Sequence, residues 1–106
     1  MKFELRFTPT ALAQLGALRS DPKMKGTLGQ VRKTLGYLET NLKSRSLQTH
    51  KYESLSKIFG REVFEAYAQN KTSGAYRVFW HYGNDEVDGE GKRVPIITVV
   101  SITPHP

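Results

Sequence analysis

The 106-residue sequence predicts an α+β fold, a helical hairpin lying on one face of a mainly antiparallel sheet. Three observations predict it. An apolar stripe at helical spacing runs through residues 24–42. From Arg61 onward the apolar residues alternate with a period of two, which is strand spacing. Helices are thus gathered early and strands late, rather than interleaved as in a parallel α/β protein. The predicted order is β-α-α-β-β-β, and the length suits one domain over residues 1–106.

Residues 2–7 alternate strictly, with Phe3, Leu5 and Phe7 on one face and Lys2, Glu4 and Arg6 on the other, which predicts a half-buried strand. Thr8-Pro9 reads as an N-cap followed by proline at the first helical position. Ala11, Leu12, Leu15 and Leu18 recur behind it, and Ser20-Asp21-Pro22 ends that helix and caps the next. The second helix carries Met24, Leu28, Val31, Leu35, Leu38 and Leu42 as one stripe. Its three glycines, Gly26, Gly29 and Gly36, weaken it by up to about 1 kcal/mol each, a cost that is tolerable if they allow close packing. Residues 43–57 read as polar and irregular.

Beyond Arg61, one strand places Val63, Glu65 and Tyr67 on one face and Phe64, Ala66 and Ala68 on the other. Asn70 to Gly74 is turn chemistry. The next strand sets Tyr76, Val78, Trp80 and Tyr82 against Ala75, Arg77, Phe79 and His81. Its first, more apolar set is expected to meet the helices. Residues 83–95 read as a long acidic hairpin loop, and residues 96–103 as a β-branched central strand. With both helices spent on one face, the second face is expected to be solvated or to bind something.

Sixteen Lys and Arg against ten Asp and Glu give a net charge of +6. The excess is one-sided: residues 1–61 hold twelve of the bases, and Asp85, Glu86, Asp88 and Glu90 crowd into one loop. Two readings fit, a polyanionic partner such as nucleic acid or a solvated basic face. The absence of cysteine excludes disulfides, thiol nucleophiles and cysteine-ligated metals. No apolar run approaches the length of about 20 residues that spans a bilayer, and the N-terminus lacks a signal-peptide core. The expected compartment is the cytoplasm, with no membrane partner.

On the uncovered face, Arg77, Phe79 and His81 would offer a cation, an aromatic for stacking and an imidazole, a surface suited to RNA. The alternative is an Arg77 that merely pairs with Glu65 across the hairpin. The histidines, His50, His81 and His105, lack metal-ligand spacing, so no metal is expected. Imidazole is the side chain suited to proton transfer near neutral pH. His105 lies between two prolines that restrict its backbone. There is no P-loop, dinucleotide-binding glycine pattern, HExxH or nucleophile elbow, and no cofactor is expected.

With this element order and the strand Tyr76-Arg77-Val78-Phe79-Trp80, the chain resembles the RelE/ParE toxin superfamily. More narrowly, His50-Lys51-Tyr52, Phe64-Glu65-Ala66-Tyr67 and the ending Ile102-Thr103-Pro104-His105-Pro106 resemble a bacterial branch of it. The resemblance implies a toxin that cleaves mRNA, typically on the ribosome, and that a cognate antitoxin neutralises. The implied chemistry is metal-independent attack of a ribose 2′-hydroxyl on the adjacent phosphate. Arg77 matches the strand arginine that binds the scissile phosphate, and His105 the terminal histidine that acts as acid. Glu65 is the implied base and His50 its competitor, while Arg45, Lys51 and Lys71 hold the RNA backbone. Here Arg61-Glu62-Val63-Phe64-Glu65 replaces the lysine-rich strand of ribosome-dependent members. A non-catalytic module of the same fold, a gyrase inhibitor or an RNA- or protein-binding member, is therefore the alternative. The two part on whether Arg77 and His105 converge within one phosphate's reach, about 10 Å at most.

Overall fold

One threonine ends the first strand and starts the first helix. The Thr8 hydroxyl accepts a hydrogen bond from the Ala11 amide at 3.1 Å and donates one to the Val100 carbonyl at 3.0 Å. Pro9 follows at the first helical position, where its missing N–H costs nothing. In the computed structural model, which describes residues 2–70 and 74–105, strand β1 is Glu4–Phe7 and helix α1 is Pro9–Ser20. Asp21 caps a short 3₁₀ turn, Pro22–Met24, and helix α2 runs over Lys25–Thr40. Leu42 therefore lies beyond the helix, although it still packs against the core.

The remaining elements are strand β2 (His50–Lys51), helix α3 (Glu53–Phe59), strands β3 (Phe64–Tyr67) and β4 (Tyr76–Tyr82), a ribbon of β5 (Glu86–Val87) and β6 (Arg93–Val94), and strand β7 (Ile96–Pro104). The main sheet has the order β1-β7-β4-β3-β2, with β1 parallel to β7 and the other pairs antiparallel. The expected α+β architecture is present, and β7 is a central strand.

The helical hairpin covers one face as its stripe predicts. Leu28, Val31, Leu35 and Leu38 of α2 meet Ala66, Val78, Trp80, Ile97, Val99 and Ile102. Thr34, buried among them, sets its hydroxyl 3.1 Å from the carbonyls of Gln30 and Tyr67, so α2 is tied to β3 at no polar cost. The three α2 glycines do not serve this packing. They are exposed, and a Cβ on any of them would meet open space. Gly83 is the position where a side chain would collide, 2.9 Å from Ile96 Cγ2.

Two segments depart from the sequence expectation. Residues 43–57 are not irregular: a 3₁₀ turn at Arg45–Leu47, β2 and α3 occupy most of them. Seven residues are too few to show a helical period, and Leu55 is the apolar α3 side chain that turns inward. Consequently the second face is not uncovered. Tyr52 and Leu55 pack over Val63, Phe79 and Val100 as a second, smaller core. The acidic loop is likewise built, with Glu86 and Val87 paired to Val94 and Arg93. Asp88 Oδ1 accepts from the amides of Glu90 and Lys92 at its tip.

A bulge in β7 sets which way the C-terminal half of that strand faces. Trp80 pairs with Val99, but Phe79 pairs with Ser101, so Val100 is an extra residue. Ile97 and Val99 face the helices before it, Ile102 faces them after it, and the odd-numbered residues change sides. The carbonyls of Val99 and Val100 are taken by Thr8, and the Ile102 amide donates to Gln14 Oε1 at 2.6 Å.

Candidate active site

Strand register assembles a charged cluster on the face opposite the helical hairpin. His50 of β2 pairs with Glu65 of β3, and Tyr67 with Arg77 of β4. Because of the β7 bulge, Thr103 pairs with Arg77 on this face, and His105 follows two residues later. Its amide donates to the Ala75 carbonyl at 2.8 Å, which extends the pairing to the histidine itself.

Glu65 is the centre, with 1% of its surface exposed. His50 Nε2 lies 2.8 Å from Oε1, and His105 Nδ1 is hydrogen-bonded to Oε2. Arg77 Nε faces that same Oε2 at 3.8 Å, beyond hydrogen-bond range. Its Nη1 donates to the Gln69 carbonyl at 2.6 Å, and its guanidinium carbon stands 3.8 Å over the Tyr67 ring. A carboxylate this deep is tolerable only when cations and donors surround it. Arg77 and His105 thus approach one oxygen atom, well inside the reach of a phosphate.

Accessibility divides the roles. Glu65 and Arg77 are buried, whereas the side chains of His50 and His105 are 49% and 44% exposed. Gln48 adopts a left-handed backbone, φ 45°, and its carbonyl accepts the His50 Nδ1–H at 2.9 Å. Both His50 nitrogens are therefore engaged. Among the described residues His105 is bonded through Nδ1, and with its side chain half exposed Nε2 is the ring nitrogen left for a substrate. A carboxylate bonded to Nδ1–H holds the imidazole in the tautomer whose Nε2 lone pair accepts a proton. The two imidazoles point at different carboxylate oxygens, and among the described residues no group of three His, Cys, Asp or Glu is arranged to hold a metal ion.

The other expected residues are dispersed. Arg45 is exposed on the 3₁₀ turn ahead of β2. Lys51 alternates away from His50, pairs with Phe64 and sets its ammonium 3.4 Å from Glu53. Phe79 is corrected: it is 1% exposed beneath Tyr52, centroids 5.0 Å apart, and cannot stack a base. His81 also falls outside the cluster. It lies four residues from Arg77, about 13 Å along a strand, with its Nδ1–H on the Tyr82 carbonyl at 2.9 Å. Lys71 lies outside the described residues.

Sequence reasoning missed Gln48, Tyr52, Tyr67 and Gln69. Tyr52 and Tyr67 carried a usable signal: both stand in the motifs quoted for the resemblance, and Tyr67 shares a strand face with Glu65 at a spacing of two. Tyr52 stands edge-on to His105, ring centroids 6.3 Å apart, and forms one wall of a mainly apolar groove of about 380 Å³. Phe79, Val100, Thr10, Thr103 and Pro104 also line that groove.

No protein-family model matches the chain, and no curated protein does. Among solved structures, the YoeB-YefM complex from Staphylococcus aureus matches with a TM-score of 0.60 and 14% identity over 100% of both chains. YoeB is a RelE-family toxin. At that identity the likeness establishes the fold, which is RelE-like, in agreement with the expectation drawn from the third strand and the element order.

Proposed function

We propose that this chain is a toxin-type endoribonuclease that cleaves mRNA at the ribosome and is held inactive by an antitoxin protein. The observation that carries the reading is the buried Glu65 with the half-exposed His105 on one of its oxygens. His105 Nε2 takes the proton from the ribose 2′-hydroxyl as the 2′ oxygen bonds to phosphorus. The P–O5′ bond then breaks, and the imidazolium returns its proton to the leaving 5′ oxygen. The products are a 2′,3′-cyclic phosphate and a 5′-hydroxyl, and atoms and charge balance without a metal. Glu65 acts through the imidazole, which it orients and whose positive charge it offsets. Arg77 is the buried counter-charge beside Glu65, and the exposed Arg45 supplies a cation for the RNA backbone. An antitoxin partner is supported by the matched structure being a complex.

One observation favours the second reading, a non-catalytic binding module of the same fold. Arg77, the arginine expected to clamp the phosphate, is 8% exposed and has Nη1 committed to a backbone carbonyl. Primer extension on a defined mRNA, with and without programmed ribosomes, separates the two. Codon-phased cuts that disappear in His105→Ala support the ribonuclease. Cuts without ribosomes move the substrate to free RNA, and no cuts from folded, antitoxin-free protein overturn catalysis in favour of binding.

A further inference from the structure

The cluster contains one more imidazole than the proposed reaction uses. His50 has a fixed hydrogen-bond arithmetic. Its Nδ1 faces the Gln48 carbonyl, which can only accept, so Nδ1 carries a proton. Its Nε2 faces Glu65 Oε1 at 2.8 Å, a contact that needs a second proton between the two atoms. That proton belongs either to the imidazole or to the carboxyl. The surroundings decide in favour of the imidazole, because Arg77 and the His105 N–H both direct positive charge at Oε2 and so stabilise the ionised carboxylate.

We propose that His50 is a positioning residue, a cation clamped between Gln48 and Glu65 that keeps His105 neutral at rest and ready to accept a proton. The assignment deepens the ribonuclease reading and takes its catalytic meaning from it, but the protonation pattern stands without RNA. Glu65 already faces two cations, His50 and Arg77, so it adds less to the stability of a third on His105. Among the described residues, the other titratable groups near the pair are Tyr67, edge-on to His50 at 6.0 Å, Tyr52 beside His105, and Lys51, the exposed strand neighbour of His50. Among these the buried carboxylate is the one acid, and both imidazoles compete for it. His50 is pre-set for the role: the left-handed Gln48 aims its carbonyl at one ring nitrogen, and the β2–β3 register aims Glu65 at the other.

The test is ¹⁵N and ¹³C NMR of the histidine rings in the full chain, without RNA. In the wild type, His50 is expected to show both ring nitrogens protonated at neutral pH, with His105 in the Nδ1–H tautomer. In His50→Gln, which removes a nearby like charge, His105 is expected to take up its second proton at a higher pH than in the wild type. In His50→Lys, which restores a cation, that pH is expected to return toward the wild-type position. A His50 with a single ring proton overturns the proposal, and so does a His105 midpoint that stays put in a folded His50→Gln. Failure of the ribonuclease reading shows itself separately, as an absence of RNA cuts with the NMR pattern intact. Where cleavage is observed, the acid limb of its pH profile should move with the His105 midpoint in the same two variants.

Discussion

The two faces of the sheet are made by the same strands and serve opposite ends. Toward the helical hairpin, β3, β4 and β7 offer Ala66, Val78, Trp80, Val99 and Ile102, and the buried polar residue among them, Thr34, has its hydroxyl satisfied. Toward α3, the same strands offer Phe79 and Val100, joined by Val63 just ahead of β3, then Glu65 and Arg77. Both charged residues buried among the described residues lie on this second side. A buried ion pair commonly contributes no more to stability than apolar side chains of similar volume would. The helix face therefore holds the fold, and the α3 face carries a charge arrangement whose value lies in chemistry. The difference teaches where a fold of this size places its costly groups: beside a small apolar patch, at the end of the sheet where two histidines reach solvent.

The contrast between the faces breaks if exchanging a residue on either one moves the wrong quantity. Trp80→Ala should cost about 3–5 kcal/mol of unfolding free energy, as expected for a large side chain in a packed core. His105→Ala, at the half-exposed end of the other face, should cost about 1 kcal/mol by urea unfolding. The same variant should lower RNA cleavage by about 10²–10⁴-fold. A His105→Ala protein that loses several kcal/mol, with cleavage in proportion to the folded fraction, would make the cluster a structural element and end the distinction between the faces.

A pair of variants sharpens the same point at the centre of the cluster. Glu65→Leu removes the carboxylate and strands the Arg77 charge, so it should cost about 3–5 kcal/mol. Adding Arg77→Met should recover most of that loss, because two apolar side chains then replace two buried charges. The recovered protein should be stable and inactive. If the double variant is no more stable than the single one, the ion pair holds the fold after all. Thermal and urea unfolding of the three proteins decide the matter.

The helix face was legible in the sequence because burial there imposes a period. The stripe from Leu28 to Leu38, the alternation of Val78 and Trp80, and the Thr8-Pro9 start all express one-sided apolar contact or local capping, which short windows contain. The site was legible in part. Strand alternation placed Arg77 and Phe79 on the second face, and the family resemblance singled out Glu65, His105 and His50. Two non-local facts kept the rest hidden. The Val100 bulge decides which way His105 points, and a β-branched run with an extra residue reads like one without it. The α3 cover that buries Phe79 is a seven-residue helix held by Leu55 and its tertiary contacts, with Ile58 left exposed. Phe79 consequently read as a stacking surface when it is a core residue.

Thr8 tests the bulge. Its hydroxyl caps α1 and holds the Val100 carbonyl, the group that the extra residue would otherwise leave without a partner. Thr8→Ala should lower stability by about 1–2 kcal/mol. It should lower cleavage somewhat further than the folded fraction explains, because the strand that aims His105 is loosened. Cleavage that tracks the folded fraction alone would mean that the bulge stands without Thr8.

The smallest effect is expected at the acidic ribbon, on the sheet edge opposite β2. Arg6 of β1 donates to Glu86 at 2.6 Å and to Glu4 at 3.1 Å, and these hydrogen bonds, Glu86 first, raise its guanidinium above its ordinary range. A group whose folded value is raised contributes stability that is complete below its unfolded value and disappears only as pH climbs through the folded one. The Arg6 charge is therefore constant across the neutral range. Exposed pairs of this kind are weak and screened by salt. Arg6→Gln should speed amide exchange at Val87 and Val94, an effect that shrinks at high salt in the wild type as the pair is screened, and should leave RNA cleavage unchanged. Altered cleavage in Arg6→Gln would bring the ribbon into the working face and redraw the contrast as one between sheet edges rather than sheet faces.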